Sequence, residues 1–108
     1  MSVYQALTPE LILDAVESAS GLRCDGRLQA LNSYENRVYQ LWLDDGGPAD
    51  AIPVVAKFYR PQRWSSAAIQ EEQDFATELA ARELPVVAPL AFNGRTLHEH
   101  GGFQFALT

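Results

Sequence analysis

The sequence has 108 residues, 47% of them hydrophobic and 20% charged, enough for one small packed domain and too few for a second. Fourteen acidic side chains against eight basic ones give a net charge of −6. That balance lacks the basic footprint of a nucleic-acid binder, so no nucleic acid is expected as a partner. The single cysteine, Cys24, excludes an internal disulfide and fits a reducing, cytoplasmic compartment. No apolar run approaches the roughly 20 residues that cross a bilayer, so no membrane partner is expected either.

Thr8-Pro9-Glu10 reads as a helix start: a hydroxyl at the cap, proline in the first turn and an acid at the positive end of the dipole. Leu11, Ile12, Ala15, Val16 and Ala19 then recur at helical spacing, and Gly21 ends the run. From Arg27 to Asp44 the period changes to two, broken by the polar stretch Asn32 to Arg37, which predicts two strands joined by a turn. The apolar, β-branched run from Ile52 to Tyr59 is a third strand, with Lys57 near its end. Ser65 or Ser66 caps a second helix running to about Glu83. Leu84-Pro85 then forces extended backbone, and Val86 to Phe92 reads as a fourth strand. Asn93-Gly94 is a hairpin signal leading to a last strand, Gly102 to Thr108, in which the chain stops without a turn or polar tail. That ending suggests a fragment of something longer.

These elements predict an α+β fold: a five-stranded antiparallel sheet with one packed helix between strands 3 and 4, preceded by an N-terminal helix spanning residues 1–21. The same plan describes the small N-terminal lobe of a protein kinase. Within it, Val55, Lys57 and Tyr59 share one strand face, and a lysine against a low-dielectric sheet needs an anion. Val55-Ala56-Lys57 has the shape of the kinase strand whose lysine holds nucleotide phosphates; the alternative is a lysine whose stem packs while its head reaches water. In the following helix Ile69, Phe75, Ala76, Leu79 and Ala80 form an apolar stripe that contains Glu72, whereas Glu71 falls on the flank with Glu78 and Arg82. Glu72 is therefore the expected partner of Lys57; the alternatives are that Glu71 is the partner through a small rotation, or that both carboxylates are solvated. Counting back from Val38 puts Leu31, Ser33 and Asn36 where a phosphate-covering loop would carry glycines. All three glycines are absent, yet Asn32, Ser33, Tyr34, Glu35 and Asn36 still offer backbone N–H groups, a hydroxyl and an amide to phosphate oxygens.

The blocks Leu31 to Gln40, Val55 to Trp64 and Ala88 to Gly94 closely resemble the N-terminal part of the bacterial stress response kinase A family, serine/threonine protein kinases of the aminoglycoside phosphotransferase and choline kinase-like group. The resemblance runs over nearly the whole chain. It implies a cytoplasmic enzyme that uses ATP and Mg, with Ser33 at the nucleotide, Lys57 on phosphate, and a protein substrate in the full-length enzyme. The family's catalytic loop of H-G-D-x-x-x-x-N type and its later metal-binding acidic segment have no counterpart here, so residues 1–108 are expected to form a kinase-like N-lobe that is inactive alone, with metal ligands elsewhere. A non-catalytic binding module and the N-lobe of a small-molecule phosphotransferase stay open as alternatives. Val38, Val55, Phe103 and Phe105 are expected to gather on an exposed inner face that meets a missing C-lobe or self-associates. His98 and His100 form H-x-H without a third ligand, so no metal is assigned to them.

Overall fold

The computed structural model describes residues 4–31, 36–44, 51–61, 65–84 and 87–108. Helix α1 spans Pro9–Ser20; strands β1 (Arg23–Leu31), β2 (Arg37–Asp44) and β3 (Ile52–Phe58) follow; helix α2 spans Ser66–Ala81; β4 (His98–His100) and β5 (Phe103–Leu107) close the chain. The five strands form one antiparallel sheet in the order β1-β2-β3-β5-β4. The α+β plan read from the sequence is the one observed, including the N-terminal helix and the helix between the third and fourth strands. Among the described residues no helix is long and apolar enough to cross a membrane.

Local chemistry sets the helix ends. The Thr8 hydroxyl accepts from the Leu11 N–H at 3.2 Å, Pro9 occupies the first turn, and Gly21 closes α1 at φ +73°, donating its N–H to the Glu17 carbonyl at 2.9 Å. Ser65 caps α2 the same way, accepting from the Ala68 N–H at 3.1 Å. β1 starts at Arg23, four residues earlier than the alternation indicates. A bulge between Cys24 and Leu28 breaks the period there, and the Asp25 carboxylate closes it by accepting from the Arg27 N–H and Nε.

The main core lies between α1 and one face of the sheet. Ile12 and Val16 of α1 meet Leu41, Leu43, Phe58, Phe105 and Leu107, all fully buried, each worth about 1.5–3 kcal/mol. The Phe58 and Phe105 rings stack at 4.9 Å between centroids. Gly101, in the β4–β5 turn at φ +60°, comes so close to α1 that an added Cβ would stand 2.7 Å from Leu11 Cδ1. The N-terminal helix is thus the cover of the core rather than an appendage. It also corrects the placement of Phe103 and Phe105 on the inner face. Lys57 pairs across the ladder with Ala106, so Ala106 shares its face and Phe105 points to the opposite one.

Two further expectations fail. Residues 87–91 form no strand, and Val86 lies outside the described residues. The edge of β5 is taken by His98–His100 of β4, leaving among the described residues the bond from Leu90 N–H to the Leu107 carbonyl at 2.7 Å, and Pro89 has no N–H with which to extend it. The Asn93-Gly94 turn does form, closed by reciprocal bonds between Phe92 and Arg95. On α2 the stripe is rotated from its predicted setting: Ile69 and Gln73 are buried, whereas Phe75, about 200° of helix rotation beyond Gln73, is 61% exposed.

Truncating Phe105 to alanine should lower the unfolding free energy by about 3–5 kcal/mol, measured by urea denaturation. His98, packed against Phe105 at 5.4 Å, gives a pH test. Burial, aided by Arg95, holds its imidazole below the ordinary 6.5. The unfolded chain therefore takes up the proton first, and the stability contributed by neutral His98 is full above that ordinary value and lost as pH falls below it. The urea midpoint should drop between about pH 7.5 and about pH 5.5, and drop less in His98→Gln. An unchanged pH dependence in that variant would assign the effect to other groups.

Candidate functional site

The sheet face turned away from α1 carries the side chains of opposite parity. On β3, Val54, Ala56 and Phe58 are buried toward the core, leaving Val55 and Lys57 on the other side, half-buried. Register supplies the flanks: Lys57 lies opposite Val38 on β2 and Ala106 on β5, so the ammonium stem is bordered by apolar groups on both sides. Tyr59, just past β3, is also buried, with its N–H donated to the Gln104 carbonyl at 2.9 Å.

Helix α2 faces this surface, and together they enclose a cavity of about 170 Å³. Val38, Val55, Ala106 and Thr108 form its floor, Lys57 and Tyr59 one side, and Glu72, Gln73 and Ala76 the helix side, with Val87 and Pro89 at the rim. Four of the predicted site residues, Val38, Val55, Lys57 and Glu72, are thus brought to one cavity. Asn36 is not. Its Oδ1 accepts from the Arg60 N–H at 3.0 Å and ties the start of β2 to the end of β3. Asn32, Ser33, Tyr34 and Glu35 lie outside the described residues.

No ion pair joins Lys57 and Glu72, although both line the cavity. Lys57 Nζ stands 5.0 Å from the centroid of the Tyr59 ring, a cation–π contact. Burial raises the Tyr59 phenol above its ordinary value; the Gln73 side chain opposes that rise and the Glu72 charge adds to it. Glu72 is exposed because it sits about 100° round the helix from Gln73, on the flank of the packing face rather than at its centre. Glu71 is exposed too, and Glu78 pairs with Arg82 at 2.9 Å on the solvent side, as i,i+4 spacing predicts.

Tyr59 and Gln73 are the site residues that sequence reasoning left without a role. Both had a signal. Tyr59 shares parity with Lys57, and Gln73 is four residues from Ile69 and three from Ala76, a polar side chain at a core position.

Other chemically distinctive groups stand elsewhere. A cavity of about 420 Å³ opens on the α1 side of the sheet, among Ser18 and Ala19 of α1, Phe92, Asn93, Arg95 and His98. It is larger, but no lysine lies over an apolar floor there. Among the described residues no group of His, Cys, Asp and Glu is placed to hold a metal, and the H-x-H pair lies in the β4–β5 hairpin. Burial, together with the charges of Glu17 and Asp25, pushes the Cys24 thiol up to about 11.

A five-stranded antiparallel sheet, a helix inserted after the third strand and a lysine of that strand facing the helix make the N-terminal lobe of a kinase-like phosphotransferase. Residues 27–108 match the phosphotransferase enzyme family, and the chain belongs to it. Over 104 residues, 96% of the chain, it is 51% identical to stress response kinase A of Salmonella choleraesuis (strain SC-B67). It is 50% identical over the same span to serine/threonine protein kinase RdoA of Salmonella typhimurium, and 49% identical to stress response kinase A of Escherichia coli (strain K12). The chain spans 30% of the length of these relatives.

At a given pH, a thiol at about 11 holds about a hundredfold less thiolate than one at the ordinary 9.0. Iodoacetamide should therefore label native Cys24 about a hundredfold more slowly than the urea-unfolded chain, followed by mass spectrometry. Equal rates would place the thiol in water.

Proposed function

We propose that this chain is the nucleotide-binding lobe of a serine/threonine protein kinase that transfers phosphate from ATP to protein hydroxyls. The observation that carries the reading is the placement of Lys57 between Val38 and Ala106, in one cavity with Glu72. A cation beside an apolar floor suits a ligand with a flat apolar group at one end and anionic oxygens at the other. The residues fit ATP in that sense: Val38, Val55 and Ala106 would take the base, and Lys57 would hold phosphate oxygens.

ATP, bound with Mg, would supply the phosphoryl group. The part of this chain is to bind and orient. Lys57 neutralises charge on the phosphates, and Glu72, from the facing helix, holds the Lys57 ammonium in place once α2 brings the two together. Their separation here costs little. A solvent-screened pair of this kind is worth about 0–1 kcal/mol, so ligand charge is enough to shift the balance. Protein rather than small-molecule hydroxyls are the proposed acceptors because relatives about half identical over nearly the whole chain include a named serine/threonine protein kinase. The groups that orient the acceptor and hold Mg in such kinases have no counterpart in these 108 residues and are proposed to lie in the part of the relatives that the chain does not span.

Lys57→Met keeps the packed stem and removes the charge. In the full-length protein it should lower phosphoryl transfer by about 10²–10³-fold, measured as radiolabelled phosphate incorporated from ATP, with the urea midpoint little changed. Wild-type transfer by this variant would make Lys57 a structural residue. Glu72→Gln should cost at least about tenfold more activity than Glu71→Gln. A reversed order would move the partner of Lys57 to Glu71.

A further inference from the structure

Helix α2 is fastened to the sheet by few contacts. Ile69 enters a small apolar cluster with Tyr59 and Ala106, and Ser66 Oγ accepts from Gln104 Nε2 at 2.8 Å. The remaining fastening is polar. Gln73 is 5% exposed, a buried carboxamide among otherwise apolar core residues. Its Oε1 accepts from the Thr96 hydroxyl at 2.7 Å, and that hydroxyl oxygen accepts in turn from Gln70 Nε2 at 3.2 Å. Its Nε2 is buried without an acceptor. Tyr59 lines the same cavity, and its ring carries the Lys57 ammonium.

A methionine or leucine would fill the same space with no buried amide to match, at the cost of the acceptor of the part-buried Thr96 hydroxyl. What a carboxamide adds is direction. With its acceptor committed to Thr96 on one side and its unpaired donor in the cavity shared with Tyr59 on the other, it favours one rotation of the helix, whereas an apolar side chain tolerates sliding. Glu72 is the neighbouring residue, so the same rotation decides where its carboxylate stands relative to Lys57.

We propose that Gln73 is a positioning residue for phosphoryl transfer: its carboxamide, held by Thr96 in the cavity it shares with Tyr59, sets the rotation of α2 from which Glu72 meets Lys57. The proposal rests on the nucleotide-binding reading and adds to it the group that orients the helix. Tyr59 then stands between the two groups, with Lys57 over its ring and Gln73 in the same cavity.

The test is a double-mutant cycle in the full-length protein with Gln73→Met, Tyr59→Phe and both together, each melted with and without Mg-ATP. Both substitutions conserve volume, so the nucleotide-free melting temperatures should stay within about 3 °C of wild type. Mg-ATP should raise the wild-type melting temperature. Each single variant should lose most of that rise and about tenfold in transfer rate, and the double variant should lose no more than either single one. Additive losses overturn the proposal. So does a Gln73→Met protein that melts lower without nucleotide yet keeps the full rise, since that marks a purely structural glutamine. Absence of any rise in the wild type overturns the nucleotide-binding reading itself, and the proposal with it.

Discussion

Lys57 stands on the middle strand of the sheet, and strand parity leaves it one side only. Val54, Ala56 and Phe58 commit one face of β3 to the core under α1, so the ammonium must emerge on the other, between Val38 and Ala106. A one-residue slip of β3 would drive the charge into the core beside Phe105 and turn Phe58, which stacks on it, to the other face. The register of the whole sheet is therefore tied to the position of this one cation. The core and the candidate site are two consequences of the same alternation.

The two faces differ in how firmly they are covered. α1 packs a continuous apolar stripe against the core, with Ile12, Ala15 and Val16 almost wholly buried. α2 buries Ile69 and Gln73 and relies on hydroxyls and carboxamides for the rest. Apolar burial is worth about 1.5–3 kcal/mol for a large side chain, whereas a net hydrogen bond contributes about 0.5–1.5 kcal/mol. The helix on the core side is thus the fixed one, and the helix beside Lys57 is the one whose setting a bound anion could shift. An exposed charge pair is too weak to hold α2 alone, which gives weight to the polar contacts of Gln73.

Much of this architecture is legible in the sequence, for local reasons. Thr8-Pro9, Gly21 and Ser65 carry cap chemistry that acts over three or four residues, and the strand alternation through β2 and β3 needs no tertiary information. Val38, Val55, Lys57 and Glu72 could be assigned to one site because parity and the insertion of α2 follow from those elements. What was not legible depended on competition for partners. Val87 and Leu90 look like strand residues, but the edge of β5 is already taken by β4, which the short, polar His98-Glu99-His100 gives little reason to expect. Phe75 looks like a core residue until Ile69 and Gln73 fix the rotation of α2, and a glutamine at the centre of a packing face runs against the apolar pattern used to find that face.

Methyl-resolved NMR during an ATP titration addresses the central assignment most directly, because methyl groups report on one face of the sheet at a time. Binding at Lys57 should shift the methyl signals of Val38, Val55 and Ala106 and leave those of Val54, Ala56 and Leu41, on the opposite face, in place. Shifts confined to Ala15 and Ala19, beside the larger cavity under α1, with Val55 unmoved, would contradict it.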